Sequence, residues 1–279
     1  MKSRTAPTLA APGFPDLHRL VRGLGGNPLV RRVLIIGALL LVWELYARFL
    51  GNPLLLPSCR ETAAAFAEGV LSGELPARVA ASLRTLLAGY GAGLLLAGLL
   101  TSAACGTTLG RELLETLAAM FNPLPAIALL PLALVWFGLG AGSIVFVLVH
   151  AVVWPVALAT HAGIASITPT VRMVGRNLGL RGIRYILLIL LPAALPAILT
   201  GLRNGWAFAW RTLIASELVF GVSSGSGGLG WFIYEKKNQL ETASVFAGLG
   251  TVILIGIVVE SAVFRRVEAR TVRRWGMQS

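Results

Sequence analysis

The sequence predicts an all-α membrane protein with six transmembrane helices and both termini in the cytoplasm. Three observations carry this reading. The 279 residues are 56% hydrophobic and only 13% charged, where soluble domains run near 25% charged. Apolar runs long enough to cross a bilayer recur along the chain. The basic residues gather between those runs, on one side of the topology they define. The 32 glycines fit the same class, because small residues let transmembrane backbones approach each other.

Residues 1–30 read as a flexible basic cytoplasmic tail, broken by Pro7, Pro12, Pro15 and Pro28. Residues 31–264 form the transmembrane domain. Arg31 and Arg32 precede a first span from Val33 to Leu50, which Asn52, Pro53 and Pro57 end. Residues 58–72 have the helical spacing of an amphipathic helix lying on the outer face, with Ala63, Phe66, Ala67 and Val70 on one side. The second span covers about 80–104, and its Gly89 and Gly93 form a GxxxG pair that predicts close packing on a neighbour. The third, 113–137, carries Pro123, Pro125 and Pro131 and should be kinked or discontinuous. Residues 138–142 make an outer turn, and the fourth span runs from 143 to 164. An inner loop, 165–184, follows. The fifth span, 186–218, is expected to be interrupted at Pro192 and Pro196, which stop one helix and aim the next. Residues 221–240 read as a glycine-rich outer loop, with residues 225–230 a flexible surface segment. The sixth span covers 243–264, and a basic cytoplasmic tail, 265–279, closes the chain.

Charge fixes the orientation. With the N-terminus inside, inner segments hold sixteen basic residues and outer segments four: Arg60, Arg78, Lys236 and Lys237. The net charge of +12 is therefore a topology signal. It does not indicate nucleic acid, since no aromatic residues interleave with the basic ones. His18, His150 and His161 stand apart, so no metal site is expected. Cys59 falls outside and Cys105 inside, which excludes pairing. No apolar segment with a cleavage site suggests a secretory signal. No Gly-x-x-x-x-Gly-Lys-Ser/Thr loop occurs, so the chain should bind no nucleotide itself. Serines, histidines and carboxylates are scattered on both sides of the membrane, which argues against an enzyme.

The inner loop holds the most informative pattern. A short arginine-studded helix between apolar spans is a surface for a soluble partner. Gly179, nine residues, Ile189, one residue, then Leu191 and Pro192 resemble the cytoplasmic loop signature of ABC-importer permeases. The first half of that signature, Glu-Ala-Ala, is replaced by Met173, Val174 and Gly175. Residues 122–140, 191–203, 210–218 and 228–230 are similar to the nitrate, sulfonate and taurine branch, and the likeness covers about 55–270.

The resemblance implies a MetI-like permease architecture in a bacterial cytoplasmic (inner) membrane. It implies a homodimer of permeases, two ABC ATPase subunits, and a periplasmic or lipoprotein substrate-binding protein. ATP and Mg would sit on the ATPases, with no cofactor in this chain. The ATPase-coupling loop would use Arg172, Met173, Arg176, Asn177, Gly179, Leu180, Arg181 and Pro192, with Gly179 allowing close approach to the partner. The transported species would be a small organic or inorganic anion. Ionisable residues within spans are costly and often functional, so Arg211 and Glu217, with Trp206 and Trp210, are candidates for the translocation pathway. Arg211 and Glu217 lie about 240° apart around a helix and need not pair. The alternative is an ion-coupled secondary transporter without an ATPase. That requires inverted repeats and coupling carboxylates at mid-span, for which Glu217 is the modest candidate.

Overall fold

A computed structural model describes residues 28–220 and 227–271. The expected tail at 1–27, part of the glycine-rich segment (221–226) and the last residues, 272–279, lie outside the described residues. The chain divides into two units, residues 1–60 and 61–279.

The first unit is one apolar helix, α1 (Pro28–Leu50), and the turn after it. It begins five residues before the expected Val33. Asn52 accepts a hydrogen bond from the Leu54 N–H at 3.0 Å, an Asx turn that reverses the chain. The reversal is held by side chains from α1. The Trp43 indole donates to the Pro57 carbonyl at 3.0 Å. Glu44 accepts the Cys59 N–H at 2.8 Å and pairs with Arg48 one turn on.

Helix α2 (Cys59–Leu71) is the expected short amphipathic segment. The second unit then holds α3 (Glu74–Gly106), α4 (Thr108–Phe121), a 3-10 turn (Ala126–Leu129), α5 (Leu130–Phe137) and α6 (Ala141–Ala165). Next come α7 (Pro169–Asn177), α8 (Gly182–Tyr185), a π-helical turn (Ile186–Leu190) and α9 (Leu191–Phe220). Helix α10 (Leu229–Asn238), α11 (Thr242–Val259), a second π turn (Glu260–Phe264) and α12 (Arg265–Arg270) follow. Among the described residues, five helical stretches are long and apolar enough to span: 29–50, 74–106, 141–165, 186–219 and 242–270. The bent pair of α4 with 126–137 makes a sixth candidate when counted as one span.

Helix α6 is the centre of the second unit, with α3 on one side and α9 on another. Small residues bring these backbones together. A Cβ on Gly89 would lie 2.5 Å from Leu148, and one on Gly93 would lie 2.6 Å from Val152. On the α9 side Gly201 meets Ala159 and the Pro155 carbonyl, Gly205 meets Val156, and Gly163 of α6 meets Ala197. Leu86, Leu148, Val152, Ala157, Ala209 and Leu213 fill the resulting core. Lipid is as apolar as leucine, so close van der Waals fit rather than hydrophobic exclusion holds such helices together.

Proline behaves differently at each site. Pro123 and Pro125 lie in the gap after α4, where the chain bends by 87°. Pro131 starts α5, where no N–H is needed. The expected interruption at Pro192 and Pro196 does not occur. Both sit within one helical span, 186–219. The π turn before Pro192 already shifts the ladder, with Leu191 bonding back to Ile186. The break comes earlier, between α7 and α8. The segment 221–240 is not simply a loop either, because Leu229–Asn238 is helical. The basic tail also starts as helix, which runs on to Arg270. Arg203 of α9 bridges Glu260 at 3.2 Å and Glu268 at 3.1 Å, tying that extension to the bundle.

Gly93→Leu should destabilise the permease by about 1–3 kcal/mol through overpacking against Val152. Gly91→Leu, whose added Cβ meets nothing within 4 Å, should be neutral. Denaturant unfolding of the two variants in one detergent checks the contrast.

Candidate functional site

The inner loop folds as a stiff, self-contained element. Pro169 opens α7 at its first turn. Arg172 turns inward, its Nε donating to the Ile167 carbonyl at 3.2 Å and its Nη2 to the Ile164 carbonyl. It thereby satisfies carbonyls at the C-terminal end of α6. Gly175 is buried, and a Cβ there would lie 2.7 Å from the Tyr185 ring and 2.9 Å from Ile189. The loop's close-approach glycine is therefore Gly175, and it faces its own chain.

Gly179 also has a role within its own chain. Its φ is +72°, and a Cβ would meet nothing within 4 Å. Its N–H bonds the Arg176 carbonyl at 2.9 Å, and the Leu180 N–H bonds Gly175 at 3.1 Å. This is a Schellman stop, in which the left-handed residue is favoured as glycine. Gly179 ends the helix sharply and sends the chain towards α8.

Outward, α7 presents Val171, Val174 and Leu178 along one exposed stripe, with Met173, Arg176 and Asn177 beside it. Arg181 is exposed and Leu180 half-buried. So Met173, Arg176, Asn177, Gly179, Leu180 and Arg181 are brought together at one end of the fold. Arg172 backs them from behind. Pro192 lies apart, at the second position of α9.

The four pathway candidates separate. Glu217 is 4% exposed and closed in. The Ser82 hydroxyl of α3 lies 2.9 and 2.8 Å from its two oxygens, and the Gly230 N–H donates to it at 2.9 Å. Ser82 accepts the Leu229 N–H at 2.8 Å. A carboxyl from α9 and a hydroxyl from α3 thus cap the N-terminus of α10, where the orphan N–H groups and the helix dipole favour a negative partner. Gly228 and Gly230 leave no room for a side chain here: a Cβ on Gly230 would lie 2.6 Å from the Glu217 Cβ and from the Ile214 carbonyl. The expectation of a flexible surface at 225–230 gives way, for its last residues, to a buried joint. Nothing in sequence periodicity marked Ser82. A signal existed for the helix in the spacing of Leu229, Phe232 and Ile233, all of which are buried.

Trp210 is buried in the main core, and Trp206 packs edge-on against Tyr90 with ring centroids 5.4 Å apart. Arg211 is exposed. Its Nε donates to its own helix at Ala207 (3.0 Å), and its guanidinium lies 5.0 Å above the Phe208 ring. Among the described residues it meets no carboxylate, and it does not reach Glu217.

Among the described residues the regular structure is all helical, with five long apolar helices, a bent sixth candidate and a short polar helix between spans, the build of a multi-span membrane transport subunit. The chain belongs to the family described as binding-protein-dependent transport system inner membrane component, whose match covers residues 89–273. Among its relatives is the taurine transport system permease protein TauC of Escherichia coli (strain K12). The two are 32% identical over 84% of this chain and 87% of the relative. A putative aliphatic sulfonates transport permease protein, SsuC of Bacillus subtilis (strain 168), is 28% identical over 88% of this chain and 87% of its own length. The nitrate import permease protein NrtB of Leptolyngbya laminosa is 29% identical over 67% of this chain and 65% of the relative.

Replacing Glu217 by alanine strips acceptors from the Ser82 hydroxyl and the Gly230 N–H. At about 1–3 kcal/mol for each buried group left unpaired, the loss should be several kcal/mol. Proteolysis should then open the chain at residues 227–240 before the rest of the fold, a pattern that mapping of the first cut sites would check.

Proposed function

We propose that this chain is the permease of an ATP-driven importer for a small oxyanion of the sulfonate or nitrate type. Two copies would form the pathway. Two ATPase subunits, carrying ATP and Mg, would dock on α7 from the cytoplasm, and a soluble or lipid-anchored binding protein would deliver substrate from outside. Both termini and α7 would face the cytoplasm, as the distribution of basic residues requires. The names of the taurine, sulfonate and nitrate relatives support the substrate class.

The observation that carries this reading is the build of α7. Its outer stripe is apolar and unpartnered among the described residues, while its inner side is held by Arg172 and by the seat of Gly175 on Tyr185 and Ile189. A docked ATPase could therefore move the element as a unit. Its motion would pass directly to α9, because Tyr185 and Ile189 lead into that helix. The missing Glu-Ala-Ala residues fit this role. Gly175 supplies the internal seat, and Met173 and Val174 supply apolar contact. Arg211, a cation in a span without a carboxylate partner, needs water or protein around it. In a dimeric anion pathway it would attract substrate.

Two experiments test the proposal. Leu178→Asp places a charge on the exposed stripe of α7 without touching the bundle. The variant should insert normally and lose at least tenfold in ATPase co-purification; undiminished co-purification would place the dock elsewhere. In proteoliposomes, taurine or nitrate uptake should require ATP on the α7 side. Uptake driven by a proton or sodium gradient, with no ATPase present, would favour the secondary-transporter reading instead. Orientation is checked separately in a Cys-free background: an impermeant thiol reagent on intact cells should label Gln239→Cys and spare Ser166→Cys.

A further inference from the structure

The bend in the third crossing encloses a feature that the coupling reading does not use. Between Phe121 and Ala126 the chain leaves regular helix, well inside the span. Irregular backbone at membrane depth is tolerated only where protein covers it or where it lines a wet cavity. A cleft of 160 Å³ lies at this bend, against an order-of-magnitude minimum of 10–15 Å³ for a single water. Its wall comes from the bend itself, from His150 and Trp154 on α6, and from Phe208 and Thr212 on α9.

The polar groups in this wall are unusual for a membrane interior. Trp154 is only 8% exposed, yet its indole N–H has no acceptor. The His150 ring nitrogens are buried as well, with the Phe121 backbone as a hydrogen-bonding neighbour of the ring. A buried donor left unpaired costs about 1–3 kcal/mol. The Trp154 N–H is therefore a standing penalty unless something arrives to accept from it, and the His150 ring lies one helical turn away on α6. The rings are held in place: Phe121 stacks on Trp154 at 6.0 Å with 9° between planes, and His150 meets Trp154 edge-on at 6.0 Å. The Asn122 amide and Thr212 hydroxyl add donors, and no carboxylate lines the cleft. Nearby, the Arg211 guanidinium lies over the face of Phe208, whose ring forms part of the wall.

Donors without acidic groups, fixed aromatic walls and a cation beside them suit one chemistry. We propose that this cleft is a substrate station within the span, where an oxyanion group accepts from the Trp154 indole and the His150 imidazole during passage. The apolar faces of Phe208 and the bend prolines would take the short organic tail of a sulfonate. This rests on the proposed import of small oxyanions and places their site on α6, apart from Glu217. A station of two or three neutral donors also releases its ligand readily, as alternating access requires.

The test uses the full transporter, with ATPase and binding protein, in proteoliposomes with taurine as the probe. Trp154→Phe keeps the stack on Phe121 and removes the N–H alone. Taurine import should fall about tenfold, the scale of one hydrogen bond to a charged group. ATP hydrolysis stimulated by the loaded binding protein should stay within about twofold, so the ATP consumed per taurine rises. Unchanged import, or import and hydrolysis falling in parallel, would overturn the assignment. Thr212→Cys in a Cys-free background gives a second measurement that does not depend on the tryptophan variant. Taurine should slow its modification by a small thiol reagent, and equal rates with and without taurine would also overturn the station. A wild-type complex that moves neither taurine nor nitrate would instead sink the anion-importer reading.

Discussion

Glu217 and Ser82 form one small polar joint inside an apolar protein, and the outer end of the second unit depends on it. A carboxyl from α9 and a hydroxyl from α3 together satisfy the Leu229 and Gly230 N–H groups. Buried as they are, those N–H groups have no water to turn to. The joint therefore fixes three things at once: the spacing of α3 from α9, the start of α10, and the direction in which the chain leaves towards α11. The small residues at 228 and 230 are part of the same device, since a side chain would push the N–H groups out of reach.

Below the joint, the bundle relies on fit. Gly89 and Gly93 of α3 and Gly201 and Gly205 of α9 let both helices lie close on α6. Close backbones leave little slack, and a core of this kind moves between discrete arrangements rather than deforming smoothly. On the proposed reading, that property suits a subunit that opens to one side of the membrane or the other.

The fold was legible wherever one strong physical rule acted on local residues. Apolar runs gave the spans, because only apolar residues enter lipid. The Gly89–Gly93 spacing gave the α3 contact, because it puts two bare backbone patches on one helix face. The sequence reading failed where the deciding partner was far along the chain. Glu217 reads as an isolated acid until Ser82, 135 residues earlier, and Gly230, 13 later, are placed beside it. Pro192 reads as a helix stop until the π turn before it removes the conflict. Gly179 was singled out for approach to a partner, and the fold adds a second reason for glycine there, a left-handed helix stop that spacing alone does not reveal. His150 and Trp154 were passed over, because an unpaired donor is a property of surroundings and not of composition.

One helix joins the three features that matter. The segment 186–219 begins beside the seat of α7, at Ile189. It passes the cleft at Phe208 and Thr212, and it ends at the joint through Glu217. Its prolines do not divide it, and Arg203 anchors it sideways to Glu260 and Glu268. On the proposed reading, a push on α7 has no flexible hinge in which to dissipate before it reaches the cleft. The same displacement would load the capped joint of α10 at the outer side. A coupling path needs an element with two arrangements that both ends can bias. On that reading α9 would be the lever, the glycine contacts with α6 the surface it slides on, and the joint at Glu217 the constraint that returns it. The Trp154 N–H and the His150 ring lie where that lever would pass, so on the same reading a small shift of Phe208 and Thr212 would close the cleft around an anion or release it.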